Sequence, residues 1–271
     1  METLLNWLES VINQSGTGQN LTTSLTDYNA MLWEYSQSVA NHVVKPISLT
    51  ILAFFLLLEF ANLYKKIDSS GGSFQIQMLL PIFVKLAFAK ILMDNFSLVI
   101  LAIQGIAITM INNMKSILPN INTKGTVNIA SLKDSVDDMG FFEQVWAGVV
   151  ILITVLIAWI ASLIAKFAIV MRFFEMYLLT SIAPLPIAAL PSDDYNQLTK
   201  NFFKIFGAIA LSTVLMYLVL SFYSVLGSSI VRASSQDFIS TTMSILAYNI
   251  LLIFIVVKTF SISKSLIGVN A

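Results

Sequence analysis

Between Val145 and Leu190 the chain runs for 46 residues with only three charges, Lys166, Arg172 and Glu175. A helix crosses a bilayer with about 20 apolar residues, so this run exceeds one span. Prolines at 184, 186 and 191 interrupt its end, where each removes a backbone donor and disfavours helix just before it. Ionisable residues held at membrane depth face a protein interior or a water-filled path rather than lipid. The expected fold is therefore all-α and polytopic, with a polar feature inside the membrane. The mean hydropathy of +0.82 and the 11% charged content agree, since a soluble domain carries roughly 25% charge.

Several chemistries are excluded early. Fifteen basic residues balance fifteen acidic ones, so no global field recruits nucleic acid or anionic lipid. There is no cysteine, which removes disulfides, thiolate catalysis and cysteine metal sites. His42 is the one histidine, too few for a histidine metal site or a catalytic triad. The opening Met-Glu-Thr-Leu-Leu-Asn-Trp is acidic and leads into polar sequence, unlike a cleavable signal peptide.

Residues 1–45 read as an N-terminal amphipathic and extracellular region, and 46–271 as the membrane domain. Leu4, Leu5, Leu8, Val11 and Ile12 recur at helical spacing, either as an interfacial helix with Trp7 at the membrane surface or as a helix packed on its own protein. Residues 14–27 form a polar linker, and Tyr28 to Lys45 is helix-compatible, expected to end at Pro46. The first span is expected at 47–64, with Glu59 inside it near Lys65-Lys66. That carboxylate either snorkels toward the lysines or lines a pore. A second span is expected at 91–111, leaving Phe74 to Lys90 as a helix at or below the interface. Lys90 and Asp94 are four apart and share a helix face, either as a structural ion pair or as a contact to a neighbouring subunit. Lys85 points to a different face.

The one substantial hydrophilic loop is expected at 113–143, with turns at Pro119-Asn120 and Lys124-Gly125. Nothing in it resembles a basic, aromatic-interleaved nucleic-acid surface. The third span is expected at 145–165, where Ala158/Ser162 and Ala161/Ala165 put small residues four apart for close helix approach. Arg172 and Glu175, three apart, can pair on one face. The prolines make 176–190 a broken or re-entrant segment, because irregular backbone at membrane depth survives only under protein or water cover. A helix restarts after Pro191, capped by Ser192 or the Asp193-Asp194 pair, and further spans follow at 205–230 and 238–257.

Lysine and arginine distribution sets the orientation. With the N-terminus outside and five full spans, Lys65, Lys66, Arg172, Lys200, Lys204, Lys258 and Lys264 fall inside. Lys45, Lys115, Lys124, Lys133 and Arg232 fall outside. Counting 176–190 as a sixth full span would move four of the inside lysines out, so five spans are expected.

The segment from Met171 to Leu211, MRFFEMYLLTSIAPLPIAALPSDDYNQLTKNFFKIFGAIAL, resembles the TrbL-like polytopic subunits of type IV secretion systems, in the compact form of Gram-positive conjugative elements. The resemblance implies a multi-pass inner-membrane component of a conjugal DNA-transfer channel, without enzymatic activity or cofactor. It implies a homo-oligomeric ring in membrane lipid, working with a secretion ATPase, a coupling ATPase and small membrane subunits, and touching single-stranded DNA transiently. Under it, Lys90, Asp94, Lys166, Arg172, Glu175, Pro184 and Pro186 would form a polar seam at the subunit interface or along the path. Asp193, Asp194, Lys200 and Lys204 would present a cytoplasmic face to an ATPase.

Broken helices and paired intramembrane charges also suit a small-molecule secondary transporter or channel, although no internal repeat is visible and the prolines cluster in one half. A scaffold without a conduit is a third reading. An intramembrane enzyme fits least, because histidine is scarce and Asp193-Asp194 sits beside a proline.

Overall fold

Apolar runs and their punctuation set the helix boundaries. A computed structural model describes residues 2–15, 19–69, 76–117, 140–233 and 238–268. Its helices are α1 (Glu2–Ser15), α2 (Leu25–Tyr28), α3 (Ala30–Ser38), α4 (Lys45–Ser69), α5 (Leu80–Asp94), α6 (Phe96–Ile117), α7 (Phe141–Ile182), α8 (Pro184–Ile187), α9 (Asn196–Ala233) and α10 (Phe238–Ile267). There is no strand among the described residues. Five helices are long and apolar enough to cross a membrane: Ala30–Asp68, Phe96–Ile117, Phe141–Ile182, Asn196–Tyr223 and Phe238–Ile267. The protein is an all-α polytopic membrane protein. The hydrophilic loop expected at 113–143 lies largely outside the described residues.

The helices depart from the expected boundaries in three places, each for a local reason. Helix does not end at Pro46. A π-turn over Val39–Val44 joins α3 to α4, and the Lys45 N–H reaches back five residues to the Ala40 carbonyl. The wider turn accommodates a proline that has no N–H of its own and whose ring crowds the preceding turn. The second span begins at Phe96 rather than Ile91, because Asn95 breaks the chain between α5 and α6. Its side-chain amide and its backbone N–H both donate to the Ile91 carbonyl, and such local side-chain bonds compete with helix. The break expected from residue 176 starts only at Ala183, so α7 keeps its helix for 42 residues, about 63 Å at 1.5 Å per residue.

Two compact units divide the chain, and the long helices contribute segments to each. The first comprises Met1–Thr22, Ala107–Arg172 and Leu211–Ser263. Its core buries Leu8, Ile111, Ile151, Val155 and Val214 together with small hydroxyl side chains and Asn249. Leu8 and Val11 are covered by the chain while Trp7 is exposed, so the amphipathic face of α1 packs on its own protein. Ala158, Ala161, Ser162 and Ala165 are all buried, as small residues at a close helix approach should be. Thr154 and Thr242 return their hydroxyls to the carbonyls four residues back. Tyr223 stacks on Tyr248 at 3.8 Å and donates to Asn249 Oδ1 at 3.1 Å. The Lys115 ammonium lies 5.9 Å from the Tyr217 ring centre.

The second unit comprises Thr23–Ile106, Phe173–Ala210 and Lys264–Ala271. It holds the π-turn, the Asn95 break and the proline segment together.

Candidate functional site

The proline segment is a run of tight turns with its backbone satisfied. Ala188 N–H donates to the Pro184 carbonyl, Ala189 to Pro186, Leu190 to Ile187 and Ser192 to Ala189. The Thr199 hydroxyl, one turn into α9, closes on the Pro186 carbonyl at 2.5 Å. Ala183, Pro184, Ile187, Ala188 and Ala189 are buried, and α8 packs against α4, α5 and the π-turn. This is the cover that irregular backbone requires in an apolar setting. At the restart of α9 the Ser192 backbone carbonyl takes the Asn196 N–H, while Asp193 and Asp194 have side-chain contacts to Lys85 and Asn62.

The charges of this unit gather at its helix breaks. Lys45, directly after the π-turn, lies 2.7 Å from Asp94, directly before the Asn95 break. Lys90 reaches the same carboxylate at 2.8 Å, as its spacing predicts. Donation from Lys45, then from Lys90, holds the Asp94 carboxyl below the ordinary carboxylate value. Half-exposed pairs of this kind contribute about 0–1 kcal/mol each, so they set register more than stability. A second group lies around the proline turns. Lys85 contacts Asp193 at 2.5 Å, and Asn62 Nδ2 is 3.5 Å from Asp194. Glu59 does not snorkel to Lys65-Lys66. It is only 4% exposed, and its Oε1 accepts the Asp193 backbone N–H at 2.8 Å. A carboxylate on a spanning helix thus supplies an acceptor to a turn 134 residues away. Glu59, Asn62, Lys66, Lys85 and Asp193 line a pocket of about 480 Å³.

The remaining residues singled out by sequence fall on two helices. On α7, Lys166 is exposed, Glu175 is half-buried and Arg172 is 5% exposed. The burial of Arg172 comes from the chain's own packing. Lys200 and Lys204 are exposed near the start of α9, and Asp193 and Asp194 are exposed just before it. No group of three His, Asp or Glu side chains suited to a metal ion occurs among the described residues.

One feature was invisible in the sequence. Within the second unit, segment 23–29 is clamped by buried polar groups. Gln104 Oε1 accepts the Leu25 N–H at 3.0 Å, and its Nε2 donates to the Thr23 carbonyl at 3.4 Å. The Tyr177 hydroxyl donates to the Leu25 carbonyl at 2.6 Å, and Tyr28 stacks on Phe173 at 3.8 Å. The only sequence signal was a lone glutamine inside an apolar helix.

Comparison with known proteins gives one match. A protein-family model described as "TrbL/VirB6 plasmid conjugal transfer like protein" matches residues 12–184, more than half of the chain. No curated protein and no solved structure matches.

Proposed function

The chain belongs to the TrbL/VirB6 plasmid conjugal transfer-like family, and from that premise we propose that it is a channel or scaffold subunit of a conjugative type IV secretion system. It sits in the cytoplasmic membrane with its N-terminus outside and helps move single-stranded DNA, with attached protein, across that membrane. The observation that carries this reading is the family match, which runs from α1 to the first proline of α8. The positions of the charges support it, since a plain anchor has no use for them.

In this reading copies of the subunit form a ring. Arg172 and Glu175 hold a polar seam on α7, with Arg172 serving the subunit's own packing. The exposed Lys166 faces a neighbour or the path. Lys90 and Asp94 lock the α5–α6 elbow to the start of α4. Lys200 and Lys204, with Asp193 and Asp194, form the surface offered to the secretion or coupling ATPase, and small membrane subunits complete the assembly.

Formaldehyde capture during mating tests it. The protein is immunoprecipitated from cross-linked donors and transferred strand is sought by PCR. Strand recovery that disappears when the coupling ATPase is disabled supports a place on the path. No strand, in donors where deletion still stops mating, reduces the subunit to a scaffold. Undiminished mating after deletion overturns the reading.

A further inference from the structure

The pocket between α4 and α5 is not needed by the reading above, and its chemistry is specific. Its deepest polar group is Glu59, buried on the membrane-spanning α4, with one oxygen committed to the Asp193 N–H at 2.8 Å. Lys66 lines the same pocket two turns further along the same helix face. Lys85 enters from α5 and is held by Asp193 at 2.5 Å. The charged lining is therefore two carboxylates and two ammonium groups. A purely anionic or purely cationic ligand would leave one sign uncompensated in a partly desolvated space, which costs free energy. A ligand carrying both signs would not.

The surroundings narrow the class further. On α5, Phe83, Val84 and Phe88 are each more than half exposed, so apolar surface lies on the helix that forms one wall of the pocket. A polar, charge-balanced pocket beside exposed apolar side chains suits an amphiphile. The volume of about 480 Å³ lies within the roughly 300–1,000 Å³ of small-ligand sites.

We propose that this pocket binds a zwitterionic phospholipid headgroup whose ammonium still carries N–H groups, as in phosphatidylethanolamine. The ammonium donates to the Glu59 carboxylate and the phosphate takes Lys66. Charge-assisted hydrogen bonds of this kind are the stronger class. A quaternary choline headgroup has the same charges but cannot donate, so the site discriminates between the two.

The test uses the full-length protein in nanodiscs of phosphatidylglycerol doped with either phosphatidylethanolamine or phosphatidylcholine of identical acyl chains. After extraction into detergent, co-purifying lipid is quantified by mass spectrometry. Phosphatidylethanolamine is expected to be retained about tenfold over phosphatidylcholine, the size of one charge-assisted hydrogen bond. Glu59→Gln should remove that preference, whereas Lys66→Met should lower retention of both zwitterions about equally. Lys66 is exposed, so Lys66→Met keeps the fold, and unchanged retention in it overturns the phosphate contact even if Glu59→Gln misfolds. Equal retention of the two zwitterions, enrichment of phosphatidylglycerol, or no enrichment of any class each overturns the assignment. Mating plays no part in the readout, so failure here is distinct from failure of the proposed function.

Discussion

The two units differ in how their helices are interrupted and in what surrounds the interruptions. The first packs apolar side chains together with buried hydroxyls on unbroken helices, those of Thr154 and Thr242 returning to carbonyls four residues back. The second gathers a π-turn, an asparagine break and the proline turns, with Glu59, Lys85, Asp94 and Asp193 around them. In the second unit, broken backbone and charge occur together for one reason. Each is costly in lipid and each is tolerated under protein cover, so cover built for one serves the other. A unit built only to anchor would need neither.

The largest effect should come from Arg172→Ala, which empties a buried site and takes away the cation of the proposed pairing with Glu175, costing about 3 kcal/mol or more. Membrane levels of the protein and its assembly on native gels should fall sharply. Normal assembly would show that the polar groups of α7 are dispensable. Gln104→Leu comes next, because it leaves the Leu25 N–H and Thr23 carbonyl without their acceptor and donor. A loss of about 1–3 kcal/mol is expected, read as earlier proteolysis of the 23–29 segment. In the first unit, Asn249→Leu should cost about 1 kcal/mol by removing the acceptor that Asn249 offers the Tyr223 hydroxyl. Thermal unfolding in detergent should then show a smaller shift than Gln104→Leu, and a larger one would reverse the ranking of the units.

The smallest effect is the Asp94 group. Its carboxyl is held below the ordinary value by Lys45 and Lys90. Its contribution is therefore present above the unfolded-state pKa and is lost as pH falls through the lowered one. Asp94→Asn should melt slightly earlier than wild type at neutral pH, by less than about 1 kcal/mol for so exposed a cluster. The two melting curves should converge in strong acid. A difference that grows on acidification would contradict the assignment.

Local features were legible in the sequence and distant ones were not. The Lys90–Asp94 pairing followed from four-residue spacing, and the interruption after α7 from its prolines. Lys45 lies 49 residues from Asp94, and Asp193 lies 108 from Lys85 and 134 from Glu59; periodicity carries no information about such partners. Glu59 looked like a surface carboxylate because two lysines follow it in sequence, yet a backbone N–H from a remote turn claims it. Pro46 looked like a helix end because the π-turn that accommodates it leaves no compositional mark. Asp193-Asp194 looked like a cap because the rule for helix starts is local, whereas Lys85 and Asn62 reach them from other helices.

The proposed function, joined to the cover built around the proline turns, makes those turns necessary for transfer. Replacing Pro184 and Pro186 together by alanine lets α7 continue as helix where the turns now stand. Mating frequency should be measured in donors holding this double variant at wild-type membrane levels. The account predicts a fall to the frequency of the deletion strain. Wild-type frequency at matched levels would contradict it.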